Sequence, residues 1–516
     1  MKRQHSFIIA SFIILSVTIA GCIKHPIDTE PAGNYTTQNY WRNQTDVLAG
    51  IAGIYNIMFQ EDGMGHGNYI FEDAGDDISV DGDHDDYKAI ERFNANSSLY
   101  QIKTTWSFSY EQIARANNAI IYVPKVPTMD EAIRTRSMGE AYFLRAYAYW
   151  TLNNIYGDVP LVQEQNVLDA TYNIPKNTSD EVRALIASDL QKAAAMLPES
   201  YSSDADRGRV SKGAAWGMLC KLYMTWEKLD SAQIYGEKVI SNTNYSLATH
   251  YADNFTPETQ VNDPEILFAI WNLDLFGASP ASIYFTARAW NGWGFHHPTQ
   301  NFAEAFEPAD TARKRATLIS IGDSASNQLA LIPIEAKDAY QMFAGKEGQS
   351  TGRLLPSQTT TGYRLRKYTA FKADGNINFS LKQPLLRTAD IYLLVAEAKV
   401  RKSGAGAGDA EINMVRQRAG LLPLSGATLA AVVRERRVEL GGENIRYFDL
   451  LRWDKAGLIN VDTIFNKPKL AMPLPPYNSN VVVPARTFTR PKDYYMPVPQ
   501  TVIDESKGII IQNPNY

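Results

Sequence analysis

Cysteine is nearly absent: 516 residues carry two, Cys22 and Cys220. With Cys22 otherwise engaged, no intramolecular disulfide can staple the fold, and stability has to come from packing, which a chain this long can supply. Long apolar runs are missing beyond residue 21, so no later stretch is fit to cross a bilayer as a helix, which takes about 20 residues. Charge of one sign is not in excess either. Against 56 Asp and Glu stand 51 Lys and Arg, a formal net charge of −5, and that balance provides no basic surface for nucleic acid. The signatures of several chemistries fail too: there is no H-E-x-x-H, G-x-S-x-G, P-loop or C-x-x-C. Paired glycosidase carboxylates need no fixed spacing, so their absence cannot be read this way.

What is present begins at the N-terminus. Lys2 and Arg3 precede an uncharged apolar run from Phe7 to Ile19, then Ala20, Gly21 and Cys22. A basic segment, a short apolar core and small residues describe a secretory signal. The placing of Cys22 directly after small residues resembles the lipobox of bacterial lipoproteins, with Ile19 where Leu is usual. That likeness implies removal of residues 1–21 and acylation of Cys22. The competing reading is an ordinary signal peptide with an incidental cysteine.

Residues 22–42 are polar and turn-rich and read as a tether. Size alone suggests about three domains, as a soft prior. Helical periodicity predicts helices over 43–59 and 106–123, and most clearly over 130–156, where Met138, Ala141, Leu144, Ala148, Leu152 and Ile155 form one apolar stripe. Thr178 and Glu181 have capping-box spacing at the start of the next helix. Further helices are expected over 211–227, 230–241, 384–402, 409–420, 428–440 and 446–455. Paired helices joined by short turns suggest a helical-hairpin array. The fold class expected is all-α dominated, a TPR-like helical-hairpin array over about 43–241 and 384–456 with an irregular, loop-rich part over about 245–380. A strand-like run at 266–270 lies within that part. The glycine-rich stretch 404–408 follows a helix, not a strand, and reads as a turn, not a phosphate cradle.

Several segments together resemble the SusD/RagB family, surface nutrient-binding lipoproteins of Bacteroidetes. Asn39-Tyr40-Trp41 has the family's opening form, and Trp106, Tyr110, Ile113, Arg115, Ala116 and Asn117 resemble its W-x3-Y-x2-I-x-R-A-N helix. Residues Glu140 to Ala146 with the turn Tyr156 to Pro160 are similar to its long TPR helix. Asn413, Arg416, Arg418 and Ala419 resemble N-x2-R-x-R-A. Glu435-Arg436-Arg437, Glu439, Arg446, Asp449, Leu450, Arg452 and Trp453 resemble its C-terminal signature, and Gln512 to Tyr516 its ending. The resemblance implies a single body over 43–516 in which the irregular part wraps the helices and helps to form the ligand site, and a cell-surface outer-membrane lipoprotein that captures oligosaccharides without cleaving them. It would deliver them to a SusC-like TonB-dependent transporter. A second reading is a helical-repeat lipoprotein whose concave face binds protein or peptide partners. A surface glycoside hydrolase is the weakest, since the resemblance leaves no room for a catalytic domain.

Sugars present apolar C–H faces that indole planes match. Trp290 and Trp293 stand three apart around Asn291 and Gly292, with Tyr284, Arg288 and His296 nearby in sequence. Gly292 and Gly294 let the backbone turn tightly and expose the rings. Those residues are the expected glycan site, with Asp83 or His84 as polar contacts; the same tryptophans would equally serve as core plugs beneath a loop. Asp81, Asp83 and Asp85 have the 1-3-5 spacing of a calcium loop. Asp86 stands where its glycine is required and Arg92 where its glutamate belongs, so an EF-hand is excluded. No metal and no cofactor is expected. Glu435, Glu439 and Glu443 lie four apart, a like-charge stripe on a continuous helix. Arg416, Arg446 or Arg452 are the expected neutralising partners in a structural network.

Overall fold

Caps fix the helix boundaries. Asn43 Oδ1 accepts from Asp46 N at 3.1 Å and opens α1, Gln44–Phe59. Asp130 Oδ1 accepts from Ile133 N at 3.0 Å and opens α3, Glu131–Tyr156, which Gly157 ends at a φ of 76°. The capping box is formed: Glu181 N donates to Thr178 Oγ1 at 3.3 Å and Thr178 N to Glu181 Oε2 at 2.8 Å, opening α4, Ser179–Met196. Each such cap is worth about 1 kcal/mol. The other long helices are α2 (Tyr100–Tyr122), α5 (Lys212–Thr225), α6 (Leu229–Ile240), α7 (Thr388–Ser403), α8 (Asp409–Arg418), α9 (Leu429–Leu440) and α10 (Arg446–Lys455).

The computed structural model describes residues 40–60, 69–80, 84–271, 280–288, 292–321, 359–370 and 380–516. The leader, most of the tether, Cys22, Asp83 and Trp290 lie outside the described residues. Asn43–Tyr516 forms one compact unit.

From α1 to α8 each long helix packs on the next in sequence, so the array is TPR-like, as expected. Arg145 shows how its layers lock. From α3 it donates to Asp189 Oδ2 of α4 at 2.7 Å and to Asn117 Oδ1 of α2 at 2.7 Å, tying three helices with a side chain 1% exposed. Among the described residues, four two-stranded antiparallel sheets lie outside the long helices. They pair β1 (Ile78–Ser79) with β3 (His297–Pro298), β2 (Ile266–Ile270) with β6 (Gln383–Arg387), β4 (Leu318–Ser320) with β5 (Tyr363–Leu365), and β7 (Lys469–Leu470) with β8 (Val481–Val483). Beneath them lies an aromatic core that includes Tyr69, Tyr284, Phe285, Phe295, Phe302 and Tyr368.

Two boundaries differ from the sequence reading. Residues 383–387 form β6 instead of helix, with Pro384 opposite Ala269, and α7 begins at Thr388. In a two-stranded sheet each strand is an edge, where a proline without an N–H is tolerated. Helix α2 starts at Tyr100, before the expected Trp106, and its opening residue has no side-chain cap to announce it.

The C-terminal charges form a buried network. Glu435 accepts from Arg313 at 2.7 Å and from Arg416 at 2.9 Å. Glu439 accepts from Arg313 at 3.2 Å, Arg387 at 3.0 Å and Arg418 at 2.5 Å. Burial opposes its charge, yet the guanidinium groups of Arg418, Arg387 and Arg313 hold its carboxyl well below the usual range. Glu443 lies past the end of α9 and accepts from Arg387 and Lys367, both at 2.7 Å. Of the partners expected from sequence, Arg416 serves. Arg446 instead pairs with Asp76 at 2.9 Å, and Arg452 with Glu397 at 2.6 Å and Asp449 at 2.8 Å. Removing one member of such a network strands the others without a counter-charge. Glu439→Ala should therefore cost about 3–5 kcal/mol in denaturant unfolding. A loss smaller than 1 kcal/mol would mean that the neighbouring carboxylates compensate it.

Candidate functional site

The segment that follows the short helix Pro280–Phe285 returns across that helix's last turn. Trp293 N donates to Ile283 O at 2.6 Å and Phe295 N to Tyr284 O at 2.7 Å, satisfying carbonyls that a helix end leaves without partners. Arg288 Nε donates to Trp293 O at 3.0 Å and closes the turn. Two glycines are needed for this return. A Cβ on Gly292 would fall 2.1 Å from Thr286 O, and Gly294 has a φ of +72°. The outcome is an indole carried at the surface: Trp293 is 38% exposed.

The ring is held edge-on from below. Tyr284, 1% exposed, meets it at 4.7 Å between centroids and 83° between planes, and Phe295 at 6.0 Å and 70°. Such edge-to-face pairs are each worth about 0.5–1.5 kcal/mol beyond burial. Distant parts of the chain complete the wall. His84, just before the short helix Asp85–Glu91, stacks on Tyr87 at 4.9 Å and meets Phe295 edge-on at 4.7 Å. From the first turn of α2, Gln101 Nε2 donates to Tyr87 Oη at 2.9 Å, while Tyr100 stands 53% exposed. Together with Tyr284, Arg288, Gly292 and Trp293 these residues line an open depression of about 510 Å³.

Of the residues singled out in the sequence, the depression brings together His84, Tyr284, Arg288 and Trp293. Tyr284 serves as the buried support of the indole instead of an open stacking face. His296 is turned into the core, 1% exposed, with Nδ1 2.8 Å from Asp73 Oδ2, and so stands apart from the depression. Sequence reading missed Tyr87, Tyr100, Gln101 and Phe295. Phe295 lies within the glycine-rich segment and was signalled by it; the other three approach through tertiary contact that no local pattern announces.

Two adjacent histidines fasten the loop on opposite neighbours. Whereas His296 faces Asp73, His297 accepts at Nδ1 from Thr360 N at 2.8 Å, so its proton sits on Nε2, which donates to Gly294 O at 2.9 Å. Burial first, then the Arg364 charge, pushes its pKa well below the ordinary imidazole value. The arrangement offers an apolar plane, amide and hydroxyl groups and one guanidinium; none of the described lining residues is a carboxylate. That equipment suits binding a ligand with apolar faces and hydroxyl edges.

A histidine kept neutral by the fold makes stability depend on pH. Its folded pKa lies below the unfolded one, so no loss arises above about pH 6.5; below that the unfolded state takes up a proton that the folded state refuses. Each further pH unit should cost about 1.4 kcal/mol through this group. In urea unfolding at several pH values, His297→Gln should be less stable than wild type at pH 7, and the gap should close toward pH 5. A gap that stays constant with pH would contradict this account.

The chain and its fold have clear relatives. The SusD family model matches residues 279–516, and a model described as starch-binding associating with outer membrane matches residues 32–224. A SusD-like protein of Bacteroides ovatus is 25% identical over 486 residues, 87% of this chain and 83% of the relative. The starch-binding protein SusD of Bacteroides thetaiotaomicron is 23% identical over 554 residues, 92% of this chain and 97% of the relative. Among solved structures, a laminarin binding SusD-like protein superposes with a TM-score of 0.73 at 24% identity, covering 92% of this chain and 100% of that one. A surface glycan-binding protein A from Bacteroides thetaiotaomicron, in complex with laminarihexaose, gives 0.71 at 22% identity, covering 92% and 99%. Those two likenesses concern the fold. With two family models matching successive parts of the chain and relatives aligning along most of its length, this chain belongs to the SusD/RagB family.

Proposed function

We propose that this protein is a cell-surface lipoprotein that binds oligosaccharides at the Trp293 depression and passes them to a SusC-like TonB-dependent transporter in the outer membrane. The observation that carries the reading is the half-exposed Trp293 indole, braced edge-on from beneath. His84, Tyr100, Gln101 and Arg288 stand around it to bond hydroxyl groups. Binding without catalysis is supported by the names of the relatives, which describe binding proteins. The lipid anchor rests on the order of basic, apolar and small residues before Cys22. A lipid tether cannot itself move solute across a bilayer, and this supports a transporter as partner.

Trp293→Ala should lower affinity for a glycan identified by array screening about thirtyfold, the loss of about 2 kcal/mol that an interface anchor carries. A core plug would instead cost about 3–5 kcal/mol of stability. Calorimetric titration beside thermal melting distinguishes the two, and unchanged affinity would remove Trp293 from the site. Release of shorter sugars over long incubation would reveal an enzyme.

For the anchor, cells fed a palmitate analogue should label the wild-type chain and not Cys22→Ala, since two or three acyl chains hold a membrane firmly and one only marginally. Label and membrane retention in the variant would remove the lipoprotein assignment. Detergent pull-down of the wild type should recover a large β-barrel, and repeated recovery of the protein alone would count against the transporter partnership.

A further inference from the structure

A second depression, of about 550 Å³, shares no lining residue with the first. Its walls include Tyr55 and Phe59 of α1, Arg207 and Gly208 of the turn before α5, and Ile270 and Trp271 at the end of β2. Gly208 lies against the indole with a φ of +84°, and a Cβ there would fall 2.6 Å from Trp271 Cγ. The turn therefore needs glycine to bring Arg207 up to the ring.

Among the described residues, the charges around Trp271 lean positive. Lys382 is 4% exposed, and its Nζ lies 4.5 Å from the Trp271 ring centroid. Among the described residues no carboxylate forms an ion pair with that ammonium; burial first, then the neighbouring Arg207 charge, pushes its pKa down to about 8, against a weaker pull from Glu258. Among the described residues, Lys382 thus has an aromatic face and the neighbouring Arg207 charge beside it, and Glu258 as the acid that opposes them. Arg207 has an acid partner in Asp204 at 2.6 Å, but that carboxylate is 82% exposed, and a solvated pair of this kind holds weakly. Arg209, by contrast, is committed to Glu140 at 2.9 Å and Asp206 at 2.8 Å.

We propose that this depression is a second saccharide site, one that takes acidic sugars: the rings of Tyr55 and Phe59 receive an apolar sugar face, and Arg207, reinforced by the charge of Lys382, pairs with a uronate carboxylate or a sulfate. A planar guanidinium suits either anion, since both accept two parallel N–H bonds. The inference rests on the carbohydrate reading of the Trp293 depression.

The test is a glycan array bearing uronate-containing, sulfated and neutral oligosaccharides, probed with the mature chain and two variants. Trp293→Ala should lose the neutral glycans and keep the acidic ones, with binding that weakens as salt is raised. Arg207→Ala combined with Lys382→Gln should keep the neutral glycans and lose acidic ones about tenfold, the worth of one charge-assisted hydrogen bond. Should the double variant fail to fold, Arg207→Ala alone changes a part-exposed side chain and should show the same selective loss. Acidic glycans bound equally well by wild type and the Arg207 variant would overturn the second site, as would loss of every acidic glycan in Trp293→Ala. Either result leaves the first depression intact; retention of all neutral glycans by Trp293→Ala would instead count against that one.

Discussion

Everything in the loop-rich half depends on a lattice of buried carboxylates and guanidinium groups. Arg387, at the end of β6, reaches Glu265 before β2, Glu439 on α9 and Glu443 beyond it. Arg418 joins Glu265 and Glu439 from α8, and Lys367 joins Glu443 from the segment after β5. Charges this deep are expensive to desolvate, and their attraction does no more than offset that cost when every lone pair is engaged. What the lattice supplies is a single permitted geometry, because any shift of one element strands a charge in another. Through Glu265 and Arg313 these ion pairs fasten the described parts of the layer over 245–380 to α8 and α9.

The same constraint runs on to the candidate site. Arg437 of α9 pairs with Asp76 at 2.9 Å and Asp77 at 2.5 Å, and Arg446 of α10 with Asp76. Asp77 immediately precedes β1, and its carbonyl accepts from Thr299 N at 2.8 Å. Pairing of Ser79 with His297 then carries the fixed geometry into β3, and His297 holds the Gly294 carbonyl next to Trp293. Lys469 reinforces the same strip, donating to Ile78 O at 2.6 Å and Glu91 Oε1 at 2.7 Å. The charged C-terminal signature thus helps to position the Trp293 indole.

Much of the helical half was legible because its signals are local. Thr178 with Glu181, Asp130 and Gly157 mark ends by hydrogen bonds within one turn, and the stripe through Leu144 and Leu152 reports which face is buried. Strand β6 was not legible, since Leu385 and Leu386 also fit the helical spacing that continues through Ala389 and Leu393, and only the distant partner β2 decides their form. At the site, the glycines around Trp293 signalled an exposed ring. They could not signal which side chains would surround it: Tyr100 and Gln101 arrive on α2, and His296 turns inward because Asp73 lies there to receive it. The like-charge stripe of Glu435 and Glu439 was readable as structural, whereas the identities of most of its partners were fixed by topology.

A rigid support changes what recognition costs. Ordering a loop or a side chain on binding consumes about 0.5–1.5 kcal/mol for each immobilised group. Around Trp293 most of that ordering is already present in the free protein. The loop backbone is bonded to Ile283 and Tyr284, its turn is closed by Arg288, and the ring rests on two buried aromatic neighbours. Tyr100 is the exception, with more than half of its surface exposed. A weak ligand contact such as one sugar face on one indole is adequate for capture only when little of its free energy goes into arranging the site. The dense anchoring around Trp293, which the lattice of buried charge supports, is therefore what the proposed capture site needs if binding is to spend little on ordering.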